Sequence, residues 1–267
     1  MNVNELTYIA IKASLKAGKR ILEIYNSNDF DIKIKDDNSP LTIADIESNK
    51  IISKFLLKTG FPILSEEGKN VDYEIRSKWN KFWLVDPIDG TKEFIKKNGE
   101  FTVNIAFVVN QKPIAGVIFA PVLNTLYFSN YKTGSFKFIF DDINTDLNLV
   151  YKNAARLPIN TNSKHCVVVA SRSHMSKETE QFIDSLKQIY QSVKIISKGS
   201  SLKMCIVAEG SADYYPRFAP TMEWDTAAGQ AICENAGYKV IDCFTKSEMI
   251  YNKRKLLNNW FLVEKKK

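Results

Sequence analysis

Asp86-Pro87-Ile88-Asp89-Gly90-Thr91 follows the apolar run from Lys81 to Val85. Proline fixes φ and cannot donate to a sheet, and an Asp-Gly pair favours a turn. A strand ending at Val85 is therefore expected to fold back here, with two carboxylates converging and backbone carbonyls between them. Hard cations such as Mg²⁺ take oxygen ligands of this kind. Thr91 follows at an expected helix start, where its hydroxyl and the amides of Gly90 and Thr91 would face an anion. Taken alone, D-P-x-D-G also reads as a surface turn.

Working outward, the run Phe61 to Leu64 ends in Ser65-Glu66-Glu67-Gly68, so two neighbouring strands deliver acids at their C-terminal ends. Adjacent acids by themselves read as a solvated corner. Upstream, Leu6, Ile9, Ala10, Ala13, Ala17, Ile21 and Ile24 recur at helical spacing, and the pattern returns from Ile43 to Leu57 behind the turn-forming Asp36 to Pro40. Downstream, Phe101 to Phe128 is β-rich, with an Asn110-Gln111-Lys112 turn between two apolar runs. Between Asn130 and Asn162 the apolar pattern weakens, so a boundary is expected there, dividing an N-terminal lobe, 1–155, from a C-terminal α/β lobe, 156–267. The later chain alternates strand and helix. A helix beginning near Asp225 carries Glu223-Trp224-Asp225-Thr226-Ala227-Ala228-Gly229, where Asp225 by itself reads as a helix cap.

The 267 residues, 45% hydrophobic and 25% charged, suit a folded enzyme-sized chain. No run approaches the roughly 20 apolar residues of a membrane span, and the first nine residues do not read as an export signal, so a cytoplasmic location is expected. The net charge of +7 comes from scattered lysines instead of a basic face with interleaved aromatics. That argues against a nucleic-acid partner and leaves a mild field favouring a small polyanion. Cys166, Cys205, Cys233 and Cys243 form no C-x-x-C pair and read as buried free thiols.

The E-E, D-P-I-D-G-T and W-D-x-A-A-G motifs, in this order, resemble those of the inositol monophosphatase superfamily over Ser39 to at least Gly237. The resemblance implies a layered α/β/α/β/α fold with the metal site between the lobes. It implies Mg²⁺ on Glu66, Asp86, the Ile88 carbonyl, Asp89 and Asp225, with Glu67 beside them. It also implies that Thr91 and Asp45, from Ser39 to Asp45, orient the attacking water, with Glu66 aiding its activation. Inhibition by Li⁺ is a further implication.

Thr91-Lys92-Glu93-Phe94, Ser171-Arg172-Ser173-His174, Gly199-Ser200-Ser201-Leu202-Lys203 and Tyr215-Pro216-Arg217 are similar to the family's bisphosphate-nucleotidase branch. By that similarity Gly90, Thr91 and Asp225 face the scissile phosphate, and Ser173, His174, Ser201, Lys203 and Arg217 contact the second phosphate or the base. The implied substrate is adenosine 3′,5′-bisphosphate, which places the chain in sulfur metabolism; the 2′,5′ isomer and sulfated adenylate stay open. So do an inositol or sugar phosphatase on the same fold, a non-catalytic binding protein, peripheral membrane association, and a monomer or homodimer. Without the resemblance, Asp45 reads as a helix-surface acid, His174 as a loop histidine and Lys203 as a solvated lysine.

Overall fold

The computed structural model describes residues 1–27, 30–34, 40–159, 165–170 and 175–266. The first helix, α1 (Val3–Ser27), is followed by the short antiparallel pair β1 (Lys33–Ile34) and β2 (Pro40–Leu41), then α2 (Ile43–Leu56) and a 3-10 turn, Leu57–Thr59. Next come β3 (Ile63–Ser65), α3 (Tyr73–Arg76), β4 (Lys81–Asp89), α4 (Thr91–Ile95), β5 (Thr102–Val109), β6 (Lys112–Ala120), β7 (Thr125–Asn130), β8 (Gly134–Ile139), α5 (Leu147–Asn153) and β9 (Ala155–Arg156). The chain continues through β10 (Cys166–Ala170), α6 (Lys177–Lys187), β11 (Val193–Ser197), α7 (Leu202–Ala208), β12 (Tyr214–Arg217), α8 (Glu223–Asn235), β13 (Tyr238–Asp242) and β14 (Phe261–Lys265).

Strands β3 to β9 pair in sequence order into a seven-stranded sheet, antiparallel apart from the β3–β4 edge. The other five form a second sheet ordered β11-β10-β12-β14-β13. Alternate residues of the large sheet go to opposite cores. Trp83, Val85, Val103, Ile105 and Phe107 pack with the apolar face of α1, whereas Phe82, Leu84, Ala106 and Val108 pack with α7, α8 and the second sheet. Because both faces are covered, β5 is buried along nearly its whole length and shows no polar alternation. On the far side of the second sheet, Ile183 and Leu186 of α6 pack on Cys166 and Val168. The layers are therefore α1/α2, large sheet, α7/α8, small sheet, α6. The cysteines are free thiols, all but Cys243 buried.

Two local readings change. Strand β4 does not stop at Val85 but runs through Asp86-Pro87-Ile88-Asp89, with its ladder to β5 jumping from Asp86↔Asn104 to Asp89↔Thr102. Three steps on one strand against two on its partner make a bulge. Pro87 has no N–H to give to the ladder, and Ser48 Oγ donates to its carbonyl at 2.9 Å. The stretch after Asn130, where the weakened apolar pattern suggests a boundary, supplies β8, α5 and β9; β8 is a half-exposed strand near the sheet's edge, so its apolar signal is weak. The β5–β6 hairpin turns through Asn110 and Gln111, both at positive φ (47° and 66°), as a two-residue turn that matches strand twist requires.

Near the end of α8, burial and then the neighbouring Glu248 push the Glu234 carboxyl up to about 7, against an ordinary 4.5, despite a 2.8 Å hydrogen bond from Gln230. The folded chain thus holds this proton more tightly than the unfolded one. Stability from this group is fully present below about 4.5 and is lost as pH rises through 7. Glu234→Gln is expected to raise unfolding free energy by about 1–2 kcal/mol at pH 8 and to leave it unchanged at pH 4.5, as read by urea titration at both values.

Candidate metal centre and substrate pocket

The bulge in β4 turns Asp86 and Asp89 toward the N-terminal end of α8. Asp86 is 1% exposed, and its Oδ1 accepts the Ile88 N–H at 3.0 Å. Asp225, in the first turn of α8, accepts the Met222 N–H on Oδ2 at 2.8 Å, which holds its side chain against the helix start. Glu66 follows β3, with its N–H donating to the Val85 carbonyl at 3.1 Å beside the bulge. Burial, then repulsion from Glu66, Asp89, Asp225 and Asp45, holds Asp86 well above the usual carboxylate range. Burial and Asp89 do the same to Asp225, against the Met222 amide. The five acids picked out in the sequence therefore feel one another.

Asp45 is 2% exposed instead of lying on the helix surface. It is the third residue of α2, in a capping box with Thr42, whose N–H and hydroxyl both donate to Asp45 Oδ2 at 2.8 and 2.6 Å. Thr91 Oγ1 lies 3.2 Å from Asp45 Oδ1 and 3.3 Å from the Ile88 carbonyl oxygen. The sequence signal was present: Thr42-Ile43-Ala44-Asp45 is a capping pattern with an acid at its third helical position.

A cavity of about 260 Å³ opens beside this cluster, lined by Asp89, Gly90 and Asp225 together with Ser200, Lys203, Tyr215 and Arg217. Gly90 sits at φ 93° before α4, a left-handed conformation that glycine takes without strain. Lys203 is 6% exposed; its Nζ donates to the Ser200 carbonyl at 2.6 Å and the Lys198 carbonyl at 3.3 Å, and lies 5.8 Å from the Tyr215 ring centre. Burial pulls it down to about 8. Arg217 donates from Nη2 to the Pro220 carbonyl at 3.0 Å. Its Nε, and Ser200 Oγ, are buried without hydrogen-bond partners among the described residues.

Ser201 lines the cavity too, but its hydroxyl is engaged by protein, 2.6 Å from Asp89 Oδ2 and 2.7 Å from the Asp225 carbonyl. Ser173 and His174 lie outside the described residues. Three lining or neighbouring residues, Tyr215 of a quoted motif among them, are given no role in the sequence reading. Glu100 accepts the Gly199 N–H at 2.9 Å and pairs with Lys198 at 3.4 Å. Tyr215 roofs Lys203, and Asn104 reaches Ser201 from β5 at 2.8 Å. Asn104 was findable, since a lone amide inside an apolar strand must have partners.

The acid of Glu223, two residues before Asp225, has a structural task. It is fully buried, and its carboxylate accepts Asn252 N–H (2.5 Å), Lys253 N–H (3.0 Å) and Lys253 Nζ (2.7 Å). Asn252 in turn is clamped by Arg76 through Nη1 at 2.8 Å. Removing one member of a buried pair costs about 3–5 kcal/mol, and the partial exposure of Lys253 softens this. Glu223→Ala is expected to lose about 3 kcal/mol in urea unfolding, and Glu223→Gln less, because the amide keeps one acceptor.

A metal ion is suited by the donor set: buried, mutually repelling carboxylates need a cation, and their oxygens are the ligands a hard ion prefers. Among the described residues no three ligating side chains stand ready as a closed cage, so the fit rests on donor chemistry. The same layers and motifs occur in known proteins. A structure of CysQ from Bacteroides thetaiotaomicron, described as a bacterial member of the inositol monophosphatase family, superposes with a TM-score of 0.90 at 49% identity, covering 100% of this chain and 99% of that one. The 3′(2′),5′-bisphosphate nucleotidase CysQ of Shigella flexneri is 44% identical over 85% of this chain and 86% of its own. The protein of that name from Salmonella typhimurium is 41% identical over 92% and 94%. With the family's sequence model matching residues 2–266 from end to end of the layered fold, the chain belongs to the inositol monophosphatase family.

Proposed function

We propose that the chain is a divalent-metal-dependent 3′(2′),5′-bisphosphate nucleotidase that hydrolyses adenosine 3′,5′-bisphosphate to AMP and inorganic phosphate. The observation that carries this reading is one cavity that joins the carboxylates Asp89 and Asp225 with Lys203, Arg217 Nε and Ser200 Oγ, donors suited to a second anion. The names borne by the relatives agree with it.

Glu66, Asp86, the Ile88 carbonyl, Asp89 and Asp225 would hold Mg²⁺. When bound, the ion supplies Lewis acidity that offsets charge on the phosphoryl oxygens and makes water acidic enough to react near neutral pH. Thr42 fixes the Asp45 carboxylate by two hydrogen bonds, and Asp45 Oδ1 accepts from Thr91. With its single hydrogen so directed, Thr91 Oγ1 presents lone pairs to a water and orients it for attack on phosphorus. The water oxygen forms a bond to phosphorus as the bond to the 3′-oxygen breaks, leaving a 3′-hydroxyl and phosphate. No protein nucleophile takes part. Gly90 and Thr91 face the scissile phosphate, Lys203 and Arg217 meet the 5′-phosphate, and Ser173 and His174 are proposed to join them.

Phosphate release from adenosine 3′,5′-bisphosphate and from inositol 1-phosphate, each with Mg²⁺ and with EDTA, tests this directly. Fast release from the nucleotide alone, abolished by EDTA and suppressed by millimolar Li⁺, is the expected result. Preference for inositol 1-phosphate would overturn the substrate assignment, and release that persists in EDTA would overturn the metal assignment.

A further inference from the structure

Asn104 lies in the middle of β5 between Val103 and Ile105 and is 1% exposed. An apolar residue would pack there with no polar group to satisfy; a buried amide is tolerated only when its donors and acceptor are partnered. Thr102 Oγ1 donates to Asn104 Oδ1 at 3.0 Å, and this sets the direction of the amide. Asn104 Nδ2 then points at Ser201 Oγ, 2.8 Å away, and at Asp89 Oδ2, 3.4 Å away. Ser201 is itself 4% exposed. Its hydroxyl has one hydrogen and two acceptors in reach, Asp89 Oδ2 at 2.6 Å and the Asp225 carbonyl at 2.7 Å. The charged carboxylate is the stronger acceptor. The result is a directed chain in which Thr102 donates to Asn104, Asn104 to Ser201, and Ser201 to Asp89.

We propose that Asn104 and Ser201 are positioning residues that orient Asp89 as a ligand for the divalent ion, with Ser201 acting toward the metal and not toward the nucleotide. The inference rests on the metal role given to Asp89 above. The chain occupies one carboxylate oxygen, Oδ2, with donors from β5 and from the start of α7, and leaves Oδ1 to face the ion. Without it the side chain can rotate, and an ion must order it on binding. Outer partners of this kind are worth about 10–100-fold in metal affinity. The Asp225 carbonyl against the same hydroxyl ties α8 into the arrangement, so two of the ligand-bearing elements are set by one buried serine.

The test is a titration of metal-free protein with Mn²⁺, read by the loss of the free-ion electron paramagnetic resonance signal, with no substrate present. Nucleotide KM and kcat at saturating metal are measured alongside. Asn104→Ala and Ser201→Ala are each expected to weaken Mn²⁺ binding about 10–100-fold with nucleotide KM unchanged. The double variant is expected to be no weaker than the worse single one, because both break the same chain. Thr102→Val removes only the hydroxyl that orients the amide. It is expected to move Mn²⁺ affinity in the same direction by a smaller factor, and it carries the test if Asn104→Ala does not fold. Wild-type Mn²⁺ affinity in Ser201→Ala overturns the proposal, and a raised nucleotide KM beside it returns Ser201 to the substrate. Wild-type protein that binds no Mn²⁺ overturns the metal reading itself, a result distinguishable from failure of the chain alone.

Discussion

Asp86→Asn is expected to lower kcat/KM for the bisphosphate by at least about 10³-fold while raising the melting temperature of the metal-free protein. The first effect follows from losing a proposed charged ligand, since an ion at the phosphoryl group would supply several kcal/mol of transition-state stabilisation. The second follows from burial. Asp86 is 1% exposed and repelled by Glu66, Asp89, Asp225 and Asp45, so in the absence of a cation its charge is a cost the fold carries. Asparagine keeps an oxygen for the Ile88 N–H and drops the charge. Relief of about 1–2 kcal/mol would appear as a rise of about 2–8 °C in EDTA. The sign with pH is reversed from that of an ordinary ion-paired aspartate. The folded values of Asp86 and Asp225 lie above 3.8, so the contribution of these two groups to metal-free stability is fully present below that pH and is lost as pH rises through the raised values. The variant should flatten this dependence. Mg²⁺ should raise the melting temperature of the wild type and leave Asp86→Asn nearly unmoved, because only a protein that binds the ion gains from it. Melting scans at pH 5 and 8, with EDTA and with Mg²⁺, read all four terms; a lower melting temperature for the variant in EDTA would mean the acids do not repel one another as placed.

The sequence exposed those acids because carboxylates beside turn residues, at short spacing and at the ends of apolar runs, stand out. Pro87 and Gly90 carry backbone information that any reader of the chain can use. It hid the form of the strand: a run through Asp86 to Asp89 that continues as β4 looks the same in sequence as one that ends, because the bulge is decided by the register of β5. Periodicity found α1 and α2 within two residues at each end, since each buries one face on a large sheet. It passed over β8 and β9, where exposure at the edge mixes polar and apolar residues. Asp45 shows the limit most plainly. Its capping pattern with Thr42 is local and legible, whereas its contact with Thr91, 46 residues later, enters the sequence reading only through the family resemblance. Long-range partners of this sort, Asn104 with Ser201 among them, are visible only once the layers are stacked.

The stacking itself hinges on a glycine. Helix α8 crosses β5 and β6 so closely that a Cβ on Gly116 would lie 2.4 Å from the Ala228 carbonyl oxygen, 3.1 Å from its carbon and 3.0 Å from Ala231 Cβ. Two of these are backbone atoms inside a regular helix and cannot step aside. Gly116→Ala must therefore push α8 off the sheet. Overpacking of this kind costs about 1–3 kcal/mol when side chains can adjust, and with backbone as the obstacle about 3 kcal/mol or more is expected. Gly229 makes a milder comparison, because its Cβ would meet only the buried Met204 side chain, Sδ at 2.5 Å, Cβ at 3.0 Å and Cγ at 3.2 Å, of which the thioether can turn aside, and alanine regains up to about 1 kcal/mol of helix propensity. Gly229→Ala should thus cost less than Gly116→Ala in urea unfolding. The functional consequence separates the two further. Asp225 rides on α8, while Asp86 and Asp89 ride on β4 of the large sheet, so helix-to-sheet spacing sets the distance between the proposed ligands from the two sides. Gly116→Ala should raise the Mg²⁺ concentration for half-maximal activity by about tenfold or more at temperatures where the protein is still folded, and Gly229→Ala should not. Equal Mg²⁺ requirements in a destabilised Gly116→Ala would mean that the ligands adjust independently of the layer spacing.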